Sequence, residues 1–166
     1  MTLQEAFDQY HQGVYSFAYR LTGRADVAED IAQECFLALI RAPRRYDPSR
    51  GSMKAYLFSA ARNLALKQFR DGRAEQAMDG SEDLPAVDPR TSLDASFAVA
   101  TAVARLPQLQ REALVLFQYE GVTLEEIAQI VGADVGTVKS RLHRARERLR
   151  RALAAYRKVG SAHGTI

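Results

Sequence analysis

The chain has 166 residues, 47% hydrophobic and 26% charged, which is the balance of an ordinary globular domain or of two small ones. No apolar run approaches the roughly 20 residues that span a bilayer, and MTLQEAFDQY lacks the basic start and apolar core of a secretory signal. The single cysteine, Cys35, excludes an internal disulfide framework and fits a reducing compartment, so a cytoplasmic protein without membrane insertion is expected.

The first helix is predicted from Leu3, Phe7, Tyr10, Val14, Phe17 and Leu21, whose steps of four and three place them on one face; Gly23 follows as a C-cap. A second helix, residues 25–42, turns Val27, Ile31, Cys35, Ala38 and Leu39 inward and carries Asp26, Glu29, Asp30 and Glu34 with no base among residues 26–34. Pro43 stops it, and PRRYDPSRG (43–51) reads as a loop. Ser52 caps a third helix that buries Met53, Leu57, Ala61 and Leu64. Bases dominate from Arg41 to Arg73. The composition then shifts: DGRAEQAMDGSEDLPAVDPRTS (71–92) combines Gly, Pro, Ser and acids, as a tether does. Leu93, Phe97, Ala100 and Ala104 suggest a fourth helix ending near Pro107, and Leu109, Ala113, Leu116 and Phe117 a fifth ended by Gly121. The predicted fold is all-α, with two small helical domains joined by a flexible acidic linker: residues 1–72, a linker at 73–92, residues 93–158, and a frayed tail at 159–166.

The last two helices carry the clearest chemistry. Thr123 with Glu126 three residues on forms a capping box. Leu124, Ile127, Ala128 and Val131 make an apolar side, Gly132 closes the helix and Asp134 caps the next. Val138 and Leu142 face back, leaving Thr137, Lys139, Ser140, Arg141 and Arg144 outward. That is a helix-turn-helix, whose second helix enters the major groove with its N-terminal residues at base edges. Arginine and lysine read guanine, and serine or threonine contacts phosphate. From Lys139 onward Glu147 is the only acid. Two basic blocks separated by an acidic one can meet a polyanion at two places.

AEDIAQECFLALIRA (28–42) followed by GSMKAYLFSAARNLALKQFR (51–70) resembles the second conserved region of bacterial sigma factors, and GVTLEEIAQIVGADVGTVKSRLHRARERLR (121–150) is similar to their fourth. The order and the short tether resemble the extracytoplasmic-function (ECF, group IV) sigma factors of the sigma-70 family, which lack the first and third regions. The resemblance implies that Asp30, Gln33, Glu34 and Phe36 hold the β′ clamp helices of core RNA polymerase, although burial in the core is an equal use of Phe36. It also implies that Arg62, Asn63, Lys67 and Tyr56 face the minus-ten element, where such factors capture a flipped base. Tyr46 and Phe69 are further stacking groups, and Tyr56 can instead serve the core; Tyr56 and Met53 depart from the aromatic pattern usual there. Thr137, Lys139, Ser140, Arg141 and Arg144 fall on minus-thirty-five contacts. The linker corresponds to one that runs through the polymerase cleft and RNA exit path, or is a plain spacer. The partners implied are core RNA polymerase (β′ clamp and β flap), promoter DNA and an anti-sigma factor.

No catalytic set emerges, and no cofactor or metal is expected. His11, His143 and His163 are far apart in sequence, no metal-ligand spacing surrounds Cys35, and GADVG is the turn of the helix-turn-helix. The alternative to a sigma factor is a stand-alone helix-turn-helix regulator that binds duplex DNA without core polymerase.

Overall fold

The computed structural model describes residues 1–79 and 95–163, with side chains up to Gly72 and from Ala95 to Ala154. The described residues contain helices and no strand. Helix α1 (Leu3–Thr22) opens on a capping box: the Glu5 N–H donates to Thr2 Oγ1 at 3.1 Å, and the Thr2 N–H to the Glu5 carboxylate at 2.8 Å. It ends at Gly23, in the left-handed region with φ 71°, whose N–H donates to the Tyr19 carbonyl. The predicted stripe is buried from Val14 through Phe17 to Leu21, but Leu3 and Phe7, one and two turns earlier, stay about 40% exposed. Helix α2 (Ala25–Arg41) buries Val27, Ile31, Cys35, Phe36 and Leu39 against α1. Pro43 does end it, and opens a single 3-10 turn over Pro43–Arg45.

Helix α3 (Met53–Asp79) begins where Ser52 Oγ accepts from the Ala55 N–H at 3.0 Å. Leu57, Phe58, Ala61 and Ala65 are buried, and Phe58 meets Phe17 edge-to-face at 5.3 Å. Met53 and Leu64, predicted inward, are only partly buried. The helix continues through Gly72 into the predicted tether, because RAEQAM is a run of strong helix formers. Residues 80–92 of that tether and Leu93 lie outside the described residues.

The second unit starts with α4 (Ala95–Ala104), apolar on every side, so periodicity could not choose its face: Val103 is buried and Phe97 is exposed. Helix α5 (Gln108–Leu114) widens into a π segment (Val115–Tyr119), in which the Glu120 N–H reaches the Val115 carbonyl at 3.1 Å. Of the apolar residues that suggested this helix, Ala113 and Leu116 are buried and Leu109 is exposed. Helix α6 (Leu124–Val131) and helix α7 (Val135–His163) follow. Helix α7 packs on α5, α4 and α6. The two units are not held apart. Helix α3 lies against α6 and α1 against α5 and the π segment, so one buried core runs through both.

Candidate nucleic-acid and polymerase interfaces

Asp30, Gln33 and Glu34 are exposed on successive turns of α2. Leu37 and Ile40 extend the same face, 40% and 54% exposed. These two fall outside the inward stripe of Ile31, Cys35 and Leu39, which is the sequence signal of an outward apolar patch. Glu34 pairs with Arg41 at 3.6 Å in full view of solvent, a contact that contributes little. Phe36 points the other way: it is buried, with its ring edge-on to Phe7 at 5.1 Å. Of the four residues expected to dock, three lie on the surface and the fourth packs beneath it.

On α3, Asn63 and Lys67 are exposed one turn apart. Tyr56 is half-buried, edge-on to Tyr46 at 5.5 Å, and the Tyr46 hydroxyl donates to the Gly51 carbonyl at 3.3 Å. Both rings line a cavity of about 220 Å³, with Arg45, Arg50 and Ser59 beside them and Gln129 of α6 on the wall supplied by the other unit. Arg62 is not presented to solvent. Its Nε donates to Glu112 Oε2 at 2.7 Å and its Nη2 to Glu112 Oε1 at 3.0 Å, a bidentate pair with Glu112 only 1% exposed. Glu112 carries no mark of its partner in the sequence, where it follows Gln110 and Arg111 in α5 like an ordinary surface acid.

The helix-turn-helix has the geometry its spacing implies. The Glu126 N–H donates to Thr123 Oγ1 at 3.2 Å, the Thr123 half of the capping box. Gly132 takes φ 67° and turns the chain. The Thr137 N–H donates to Asp134 Oδ1 at 2.7 Å, and that bond holds the Asp134 carboxyl below its ordinary range. Val138, Leu142 and Ala145 are buried, while Lys139, Ser140 and Arg144 are exposed and Thr137 is half-exposed. Arg141 is also half-buried, with Nη1 out of water and without a hydrogen-bond partner, and it lies near enough to Asp134 to lower that carboxyl further. Arg146 covers the face of Phe117 at 5.5 Å, so it steadies α7 on the π segment.

Further bonds join the two units. Lys54 Nζ donates to the Glu120 carbonyl at 3.0 Å, and Arg111 Nη1 to the Leu21 carbonyl at 2.8 Å. Arg20 pairs with the Glu120 carboxylate at 3.7 Å while its guanidinium lies 4.2 Å from the Tyr119 ring centre. Burial raises the Glu120 carboxyl above its ordinary value, with Arg20, Ser16 and Lys54 opposing that shift.

Comparison with known proteins finds two family models on this chain. Residues 6–75 match the family model of Sigma-70 region 2, and residues 96–149 that of Sigma-70 region 4. The chain is 32% identical to the ECF RNA polymerase sigma factor SigW of Bacillus subtilis, over 90% of this chain and 90% of that one. It is 35% identical to the ECF RNA polymerase sigma factor SigE of Mycolicibacterium smegmatis over 92% of this chain, and spans 62% of that relative's length. Among solved structures it is similar to the sigma factor RpoE in complex with the anti-sigma factor NepR from Bartonella quintana. That match has a TM-score of 0.78 and 30% identity, and covers 91% of this chain and 96% of that one. With both regions present, in order, on the helices described above, the chain belongs to the ECF RNA polymerase sigma factors of the sigma-70 family.

Proposed function

We propose that this chain directs core RNA polymerase to specific promoters and promotes melting of their DNA, gripping the promoter at two places. The reading rests on one observation above all: a capped helix-turn-helix follows, on the same chain, a helical unit whose α2 presents an acidic and apolar face. Asp30, Gln33 and Glu34, with Leu37 and Ile40, dock on the basic and apolar surface of the β′ clamp, and Phe36 holds α2 in place from the core. Asn63, Lys67 and Arg62 hold the non-template strand of the minus-ten element, and Tyr56 with Tyr46 receives an unstacked base in the cavity beside them. Thr137, Lys139, Ser140 and Arg144 read or clamp the minus-thirty-five duplex, and Arg141 fixes the turn that aims α7.

The second unit also meets the β flap, and an anti-sigma factor competes for these surfaces when the factor is idle. The polymerase performs the chemistry and this chain selects the site, in the cytoplasm. Among the described residues, no helix is long and apolar enough to cross a membrane. Reconstitution with core polymerase and genomic DNA, followed by run-off transcript mapping, tests the proposal. Discrete start sites that depend on the added chain are expected. Failure to form a holoenzyme, or transcripts identical to those of core alone, would sink it.

A further inference from the structure

Arg62 has two claims on it. The strand-holding role assigned above needs its guanidinium free, yet Glu112 occupies two of its donors in a bidentate pair. A carboxylate and a phosphate present similar paired oxygens to that fork, so the two compete for one site. The contact is not an isolated one. Lys54 and Arg111 cross the same boundary to backbone carbonyls. Gly13 of α1 admits Glu120 to within 3.3 Å of the place a Cβ would occupy. Gln129 of α6 closes one wall of the cavity lined by Tyr46 and Tyr56. The second unit therefore occupies the arginine and contributes one wall of the cavity of the first.

We propose that the free chain is held closed by an intramolecular latch, in which Glu112 of α5 grips Arg62 of α3, and that closure and strand binding exclude each other. The exclusion rests on the strand-holding reading of α3, whereas the latch stands on the contacts alone. Its energetics suit a switch. Burying a carboxylate and a guanidinium costs desolvation that nearly offsets their attraction, so the pair itself can exchange for solvent or phosphate at little net cost. A polymerase surface that separates the units, or a strand that supplies phosphates to Arg62, then tips the balance. Chain that has met neither partner keeps Arg62 engaged, while Asn63 and Lys67 stay exposed beside it.

The test measures distance and binding separately. Dye pairs at Gln9→Cys on α1 and Arg148→Cys on α7, in a Cys35→Ala background, report the separation of the units in the full chain by single-molecule energy transfer. A short random-sequence single-stranded oligodeoxynucleotide is the probe for binding. Wild type should show a compact population that lengthens when the probe saturates it. Glu112→Gln should lengthen the distance without probe and tighten probe binding about tenfold. Lys54→Met, a change outside the core, should do the same to a smaller degree and serves if Glu112→Gln loses helicity. A wild type already extended, or no lengthening in either variant, overturns the latch. Probe bound by a wild type that stays compact overturns the exclusion. Variants that open while no chain binds the probe leave the latch standing and remove the strand-holding reading instead.

Discussion

Gly132 offers a test in which a single backbone angle decides the outcome. It sits at the turn between α6 and α7 with φ 67°, and a Cβ added there would meet nothing within 4 Å. The cost of Gly132→Ala is therefore conformational and not steric against neighbours. An L-residue in the left-handed region costs about 1–2 kcal/mol, and the stiffer unfolded chain returns about 0.4–1 kcal/mol. The net loss is about 1 kcal/mol. Gly72 provides the opposite case. It lies inside α3 without a positive φ, and its Cβ would also meet nothing within 4 Å. Gly72→Ala should stabilise by about 0.5–1 kcal/mol. Thermal unfolding followed by circular dichroism reads both, at about 2–4 °C per kcal/mol for a chain of this size. A Gly132→Ala chain as stable as wild type, or a destabilised Gly72→Ala chain, would refute the argument from backbone angle. Because the turn aims α7, Gly132→Asn, which tolerates the left-handed region, should retain more promoter binding than Gly132→Ala.

Three further outcomes are expected. Burial, with Glu34 adding to it, pushes the Cys35 thiol up to about 12, so iodoacetamide at pH 8 should spare the native chain and label the unfolded one; rapid native labelling would contradict that placement. Glu120 has a folded-state carboxyl raised above its ordinary 4.5, so its protonation strengthens the fold. That contribution is complete below 4.5 and is lost as pH rises through the folded value, so the advantage of wild type over Glu120→Gln in urea midpoint should shrink across this window; growth of that advantage with pH would reverse the assignment. Arg144→Ala should lower the salt-dependence slope of duplex promoter binding by about one if Arg144 holds a phosphate. An unchanged slope with altered preference for one base pair would make it a base reader.

Much of this molecule is written in signals that act within one or two turns of chain. Ser52 and Thr123 start helices, Gly23 and Gly132 end them, and Asp134 caps α7, because a cap is a bond to a backbone group three or four residues away. The helix-turn-helix was legible for the same reason: Val138 and Leu142 are one turn apart and both buried. The outward face of α2 was legible in its acids, whereas Leu37 and Ile40 on that face carried only the weaker signal of lying outside the inward stripe. Other features had no local signal. The face that α4 buries, the exposure of Leu3 and Phe7, and the π segment depend on what packs alongside. So does the position of Arg62, a basic residue on a basic helix whose partner Glu112 is 50 residues away. The Arg111 bond to the Leu21 carbonyl spans 90 residues. Periodicity tells which side of a helix prefers to leave water. Only the packing of one helical unit on the other decides whether a given charge meets solvent, nucleic acid or a buried carboxylate, because desolvation and pairing depend on neighbours brought together in space.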